Sequence, residues 1–172
     1  MLRWAGCLGQ SQAACHLVAQ HGALERATFA GKSDYVAKPF PAAAVRTIQR
    51  ALESRQASGH GSGALVMDSY GGAIARVAPD ATAFVHRSPL HSIQYLAYWG
   101  SPANEAPSLA WLRGLHAAMR PHVTGAAYQN YADPDLTDWR HAYYGANYAR
   151  LVTVKQRYDP DRLFRFPQGI GT

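Results

Sequence analysis

The residues best able to do chemistry in this chain form one short run, Tyr128-Gln129-Asn130-Tyr131, with Asp133 close behind. A phenol takes a proton from a substrate hydroxyl only if its phenolate is stabilised, because its ordinary pKa is about 10. Nearby donors or cations supply that stabilisation in a general base. In an extended piece of chain Tyr128 and Asn130 point one way and Tyr131 the other. The plainer reading is a strand packed for stability alone, since ten tyrosines make such pairs common by chance. Further along stand Trp139, Tyr143-Tyr144-Gly145, Asn147, Arg150-Leu151, Val154-Lys155, Asp159-Pro160, Phe164 and Gln168.

Other chemistries find less support. The histidine pairs His16/His21 and His116/His122 lack the i, i+4 spacing of a helix-borne zinc site. Gly59-His60-Gly61-Ser62-Gly63 is followed by no Gly-Lys-Ser/Thr and precedes a strand rather than a helix. It therefore reads as a flexible turn and not as a phosphate cradle. No Gly-x-Ser-x-Gly elbow occurs. Cys7 and Cys15 have neither metal nor disulfide-framework spacing and read as small buried apolar residues. The formal net charge is +6, but the basic residues are scattered. Their densest group, Arg150, Lys155, Arg157, Arg162 and Arg165, alternates with Asp159 and Asp161 and reads as a solvated helix face. No nucleic-acid-binding pattern accompanies it, and no apolar run reaches the roughly eighteen residues of a membrane span. Neither a metal, a nucleic acid nor a membrane is expected as a partner.

The positioning elements follow from periodicity. With 172 residues and 48% hydrophobic composition, the chain can build one core. Residues 8–24 are apolar without a clear cap, and residues 29–41 are extended and turn-rich. Pro41 opens a predicted helix over 42–54, with Val45, Ile48 and Leu52 on one face. Short strands are predicted over 64–70, 73–77 and 83–87, and a stronger one over 92–99. In the last, Ile93, Tyr95 and Ala97 alternate with Ser92, Gln94, Leu96 and Tyr98. A helix over 108–120 presents Leu109, Leu112, Leu115 and Met119. Residues 126–131 read as a strand or extended loop. Helices over 139–143 and 147–158 are separated by Gly145, and Asp159-Pro160 ends the second. The fold class is α+β: an antiparallel sheet flanked by helices, with a helical C-terminal segment.

The ordered series from Tyr128 to Gln168 resembles the C-terminal end of the berberine bridge enzyme family of FAD-linked oxidases, of the vanillyl-alcohol oxidase type. There Tyr-x-Asn-Tyr-x-Asp is followed by Trp, Tyr-(Tyr/Phe)-Gly-x-Asn-x-x-Arg-Leu, Val-Lys, Asp-Pro, an aromatic and Gln. Gly169 departs from the family's usual Ser, and Arg162 stands where Asn is frequent. Upstream, Lys32-Ser33-Asp34-Tyr35, Tyr70-Gly71-Gly72, Phe84-Val85-His86-Arg87 and Ile93-Gln94-Tyr95 resemble segments of the family's substrate domain, with Val85 in place of a common proline.

The resemblance implies FAD as cofactor and a hydride passing to it from a substrate hydroxyl while Tyr131, the catalytic base, takes the proton. It implies that Tyr128, Asn130 and Asn147 belong to the cofactor site, Asn147 with Arg150 bracing the tyrosine loop. Tyr70, Ser92 and Gln94 would line the substrate pocket near Asp68, with Ser92 where other members carry lysine or glutamate. The substrate class implied is a small hydroxyl-bearing molecule: a sugar, a glycoside or a secondary metabolite. Oxygen would reoxidise the flavin. The resemblance further implies a partial substrate-binding domain over residues 1–122 and a C-terminal segment over 123–172 that contacts FAD. The family's N-terminal FAD-binding domain has no counterpart in these 172 residues. On that reading the chain alone holds FAD weakly and needs the flavin domain as a partner. The alternative is a non-catalytic interaction module.

Overall fold

The computed structural model describes residues 27–172. The apolar stretch over 8–24, both cysteines and the His16/His21 pair lie outside the described residues. The elements run β1 (Phe29–Val36), α1 (Ala42–Ser58), β2 (Ser62–Ser69), α2 (Gly72–Ala75), β3 (His91–Tyr98), α3 (Glu105–Met119), α4 (Trp139–Tyr144) and α5 (Tyr148–Tyr158). The strands form an antiparallel sheet in the order β1-β3-β2, and the fold is α+β as expected.

Register decides what each sheet face does. Tyr95 stands opposite Lys32 and Leu65, and Ile93 opposite Asp34 and Met67. Because side chains alternate along a strand, this face presents Ile93, Tyr95 and Ala97 to Ala44 of α1 and to Leu112, Leu115 and Met119 of α3. Each fully buried aliphatic side chain contributes about 1.5–3 kcal/mol. The other face carries Ser33 and Tyr35, Ser92 and Gln94, Val66 and Asp68. A second, smaller core gathers Ala127, Trp139, Ala142 and Tyr143, with Leu136 and Tyr148 against it. No helix among the described residues is long and apolar enough to cross a membrane.

The glycine run after α1 is a close-packed corner rather than a flexible turn. Arg55 is 2% exposed and donates to the Tyr98 carbonyl (3.1 Å) and to Ser108 Oγ (2.8 Å). Its guanidinium lies 5.3 Å from the centre of the Trp111 ring. A Cβ on Gly61 would meet the Tyr98 carbonyl oxygen at 2.1 Å, and one on Gly63 would meet Trp111 at 2.5 Å.

Two expected strands are absent, and residues 126–131, read as a strand or an extended loop, form no strand. Residues 73–77 were expected to extend, but Gly71 (φ 113°) and Gly72 (φ 51°) turn the backbone, and the Ile74 amide donates to the Gly71 carbonyl to start α2. Over 83–87 the alternation is real, since Phe84 and His86 share one aromatic cluster. The backbone there pairs with no strand; Thr82 Oγ1 accepts from the Phe84 amide instead. Residues 126–131 begin along the outer edge of β1, where the Thr124 amide donates to the Tyr35 carbonyl (2.9 Å) and the Tyr35 amide to the Ala126 carbonyl (3.2 Å). They then close into a turn in which the Tyr131 amide donates to the Tyr128 carbonyl (2.9 Å).

Candidate active site

Adjacent residues of β1 hold the tyrosine turn from both faces of the strand. Ser33 Oγ accepts from the Tyr128 amide at 2.9 Å. On the opposite face, Lys32 Nζ donates to Asp133 Oδ1 (2.9 Å) and Oδ2 (2.8 Å) and lies 2.9 Å from Asp135 Oδ2. Asp133 is fixed by its backbone as well. Its amide donates to Tyr143 Oη (2.9 Å), Tyr143 Oη donates to Gln168 Oε1 (3.3 Å), and Gln168 Nε2 donates to the Asp133 carbonyl (2.7 Å). Asp135 is also paired with Arg113 at 2.8 Å. Arg113 first and Lys32 second hold its carboxyl well below the usual carboxylate range.

The turn changes which way its tyrosines face. An extended chain would separate Tyr128 from Tyr131, whereas here the closed turn sets their rings edge to face, 5.0 Å apart at 86°. Asn130 Nδ2 donates to Tyr128 Oη at 2.8 Å. Phe84 meets the Tyr128 ring edge-on (6.1 Å) and lies 6.2 Å from the Tyr70 ring, while Tyr70 Oη is 3.2 Å from Tyr35 Oη. His86 stacks on Tyr35 at 4.2 Å.

His86 is 7% exposed, and its Nε2 donates to the Tyr143 carbonyl at 3.0 Å. Burial pushes its pKa down to about 4, against the opposing pull of the Tyr143 and Ala127 carbonyls. The imidazole is therefore neutral at pH 7. Unfolding restores a pKa near 6.5, so the unfolded chain takes up this proton first as pH falls. Stability contributed by neutral His86 is complete above about pH 6.5 and is lost between there and pH 4. The loss is about 3 kcal/mol. Urea unfolding of the chain at stepwise pH should show this slope, and His86→Gln should flatten it; an equal slope in both proteins would exclude His86 as its source.

Tyr131 looks onto the sheet face turned away from the helices. In the register Ser92 is flanked by Tyr35 and Asp68, and Gln94 by Ser33 and Val66. Partial burial raises the Tyr131 pKa, and the Asp68 carboxylate, then Tyr128 and Tyr70, raise it further. Tyr131 is thus a neutral phenol at pH 7. Of the residues named from sequence, Tyr131, Tyr128, Asn130 and Tyr70 gather around the turn, and Ser92 and Gln94 share the facing sheet surface. Asn147 stands apart. Its Nδ2 donates to the carbonyls of Pro79 (2.7 Å) and Thr82 (3.1 Å), and Arg150 donates to that of Asp80 (3.0 Å). The two brace the loop leading to Phe84, and only through Phe84 the tyrosine turn. The sequence assigns no role to the Lys32–Asp133 pair, whose members lie 101 residues apart and meet only in the fold. No group of three potential ligands for a metal exists among the described residues.

Residues 127–171 match the family model described as "Berberine and berberine like". The FAD-linked oxidoreductase YgaK of Bacillus subtilis is 35% identical over 136 residues, 79% of this chain and 29% of that protein. The solved structure of BBE-like 1 from Physcomitrella patens superimposes with a TM-score of 0.77 at 34% identity, over 88% of this chain and 32% of that one. A glycopeptide hexose oxidase, DBV29, solved in complex with teicoplanin, gives a TM-score of 0.77 at 29% identity, over 86% and 33% of the two chains. The 172 residues span about a third of the length of these relatives. Motif and fold agree, and the chain belongs to the berberine bridge enzyme-like family.

Proposed function

We propose that this chain forms the substrate-side wall and the proton-accepting apparatus of an FAD-dependent oxidoreductase acting on a small hydroxyl-bearing molecule. The observation that carries the reading is the closed turn that sets the Tyr131 ring against Tyr128, with Asn130 on Tyr128 Oη and Ser33 on the Tyr128 amide, within the electrostatic reach of Asp68. Similarity to an FAD-linked oxidoreductase and to a glycopeptide hexose oxidase supports it. FAD, when bound, supplies the hydride acceptor. The residues present fit one side of such a ring. The tyrosine turn offers an aromatic lip with the Asn130 amide upon it, and Gln129 Oε1 is buried without a donor, an acceptor open to a ring N–H.

The protein's own residues then do three things. Ser92 and Gln94 give the pocket floor uncharged polar groups, which suit a sugar, a glycoside or another alcohol. Tyr131 takes the proton of the substrate hydroxyl, and its own phenolic proton passes to Asp68. The neutral phenol thereby works as a base without first ionising against its raised pKa. Tyr128, Asn130 and, through the Phe84 loop, Asn147 shape the cofactor side. We assign residues up to 122 to the substrate domain and 123–172 to the segment that meets the cofactor. The separate core around Trp139 and Tyr143 favours that division.

Because one wall is not a whole site, the 172 residues alone should hold FAD with a Kd well above about 1 µM. Isothermal titration measures this, and submicromolar binding would overturn the division of labour. The function itself is tested by anaerobic mixing of the chain, joined to an FAD-binding domain and so flavin-loaded, with a panel of hexoses, glycosides and aromatic alcohols. Bleaching of the flavin absorbance by one class is expected; a flavin that no hydroxyl compound reduces would reject the reading. Tyr158, Leu163, Phe164 and Phe166 are each more than half exposed, and they favour the second reading, an interaction module. On that reading the loaded protein stays unbleached while the segment still binds the flavin domain.

A further inference from the structure

We propose that Lys32 is a positioning residue for the Tyr128–Tyr131 turn, acting through its buried ion pair with Asp133. The inference rests on the role given to Tyr131 above. Lys32 and Asp133 are each only 5% exposed. A buried ammonium is tolerated only when its charge is matched and its hydrogens are used. Lys32 meets both conditions, with its three N–H donors matched by two oxygens of Asp133 and one of Asp135. The strand is 101 residues away in sequence from the aspartate it holds.

Strand geometry makes this pair one half of a clamp. Neighbouring side chains of β1 leave by opposite faces. Ser33 therefore takes the entry of the turn, at the Tyr128 amide, while Lys32 takes its exit at Asp133, two residues past Tyr131. The turn is stretched over the strand edge between these points, and the Tyr131 ring comes to rest edge-on to Tyr128, near Asp68. Asp34, next along the strand, faces inward to His116 (3.1 Å) and Arg120 (3.2 Å) and takes no part in the clamp. A group that only stabilised the fold would leave the Tyr131 ring where it is whenever the fold survives. A positioning residue would not.

The test is made on the 172-residue chain by NMR. Ring protons of Tyr131 carry a ring-current shift from Tyr128, and the methyls of Ile93, Leu112 and Leu115 report the core. In Lys32→Met the core methyls should keep their positions while the Tyr131 shift is lost, and Lys32→Arg should restore part of it. A Tyr131 shift retained in Lys32→Met overturns the proposal. If Lys32→Met does not fold, Lys32→Met/Asp133→Leu leaves no unpaired buried charge and is read in the same way. Loss of the core signals in both variants also overturns it, because the pair would then hold the whole fold rather than the turn. In the flavin-loaded protein, displacement of the turn by about 1 Å should lower kcat about 100-fold with KM unmoved. The NMR result needs no flavin: loss of the Tyr131 shift together with normal turnover in Tyr131→Phe would keep the clamp and remove the catalytic reading.

Discussion

Turnover of the flavin-loaded protein falls by about 10²–10⁴-fold when Tyr131 is replaced by phenylalanine, with KM little changed. Phenylalanine keeps the ring that rests edge-on to Tyr128 at 5.0 Å, so the turn and its backbone hydrogen bond persist. What disappears is the oxygen proposed to receive the substrate proton. An interaction used only in the transition state shows itself in kcat, which is why the effect should appear there. Asp68→Asn should lower kcat in the same direction, because the amide cannot receive the proton that Tyr131 gives up. Both groups serve one proton path, so the double variant should be hardly worse than the poorer single one. Steady-state kinetics of the three variants measure this, and near-normal turnover in Tyr131→Phe would remove the base assignment outright.

A second large effect concerns stability and lies at Gly61. Its φ of 123° is strained for any L side chain, and the added methyl of Gly61→Ala would sit 2.1 Å from the Tyr98 carbonyl oxygen. Tyr98 ends β3, and its carbonyl also receives Arg55. Relief of the clash must therefore shift either the central strand or a buried guanidinium. Strain of about 1–3 kcal/mol adds to overpacking of about 1–3 kcal/mol, a large part of a domain's usual 5–15 kcal/mol or so. Gly59→Ala is the matched control. Its φ of 68° is also positive, but nothing lies within 4 Å of the new methyl, so the cost should be about 1 kcal/mol. Urea midpoints of the two variants separate steric closeness from backbone conformation. Equal midpoints would mean that the corner yields freely.

Much of the scaffold is visible in the pattern of apolar residues. Ile93, Tyr95 and Ala97 alternate as a half-buried strand must, and Leu112, Leu115 and Met119 recur as a core-facing helix must. Those signals are local and strong. The failures have a common cause in partners that a local window does not contain. Residues 83–87 alternate like a strand because Phe84 and His86 both enter an aromatic cluster, yet no neighbouring strand offers them a ladder. The turn at 128–131 looks extended because its residues are aromatic and polar, whereas its direction is imposed by Ser33 and Lys32 far upstream.

The same reasoning applies to the site. Tyr131, Tyr128 and Asn130 were named from motif position and meet in one turn, while Ser92 and Gln94 lie on the sheet face that also carries Ser33, which holds the Tyr128 amide. Asn147 belongs to the motif too, but its amide serves the carbonyls of Pro79 and Thr82, more than sixty residues earlier. Motif position indicates that a residue matters without saying which neighbour it touches. The Lys32–Asp133 pair shows the converse. Both residues were in view, and only folding reveals that they meet.

That meeting has a consequence in time. On a ribosome that adds roughly 5–20 residues per second, Lys32 is made on the order of 5–20 s before the aspartate that lies 101 positions later. The three-stranded sheet and both of its covering helices, complete by Met119, can assemble during that wait with the ammonium still in water. Long loops close late because their entropy must be overcome first. The sheet of this chain is therefore expected to form before its tyrosine turn, and Tyr131 reaches its station only after Asp133 has been made.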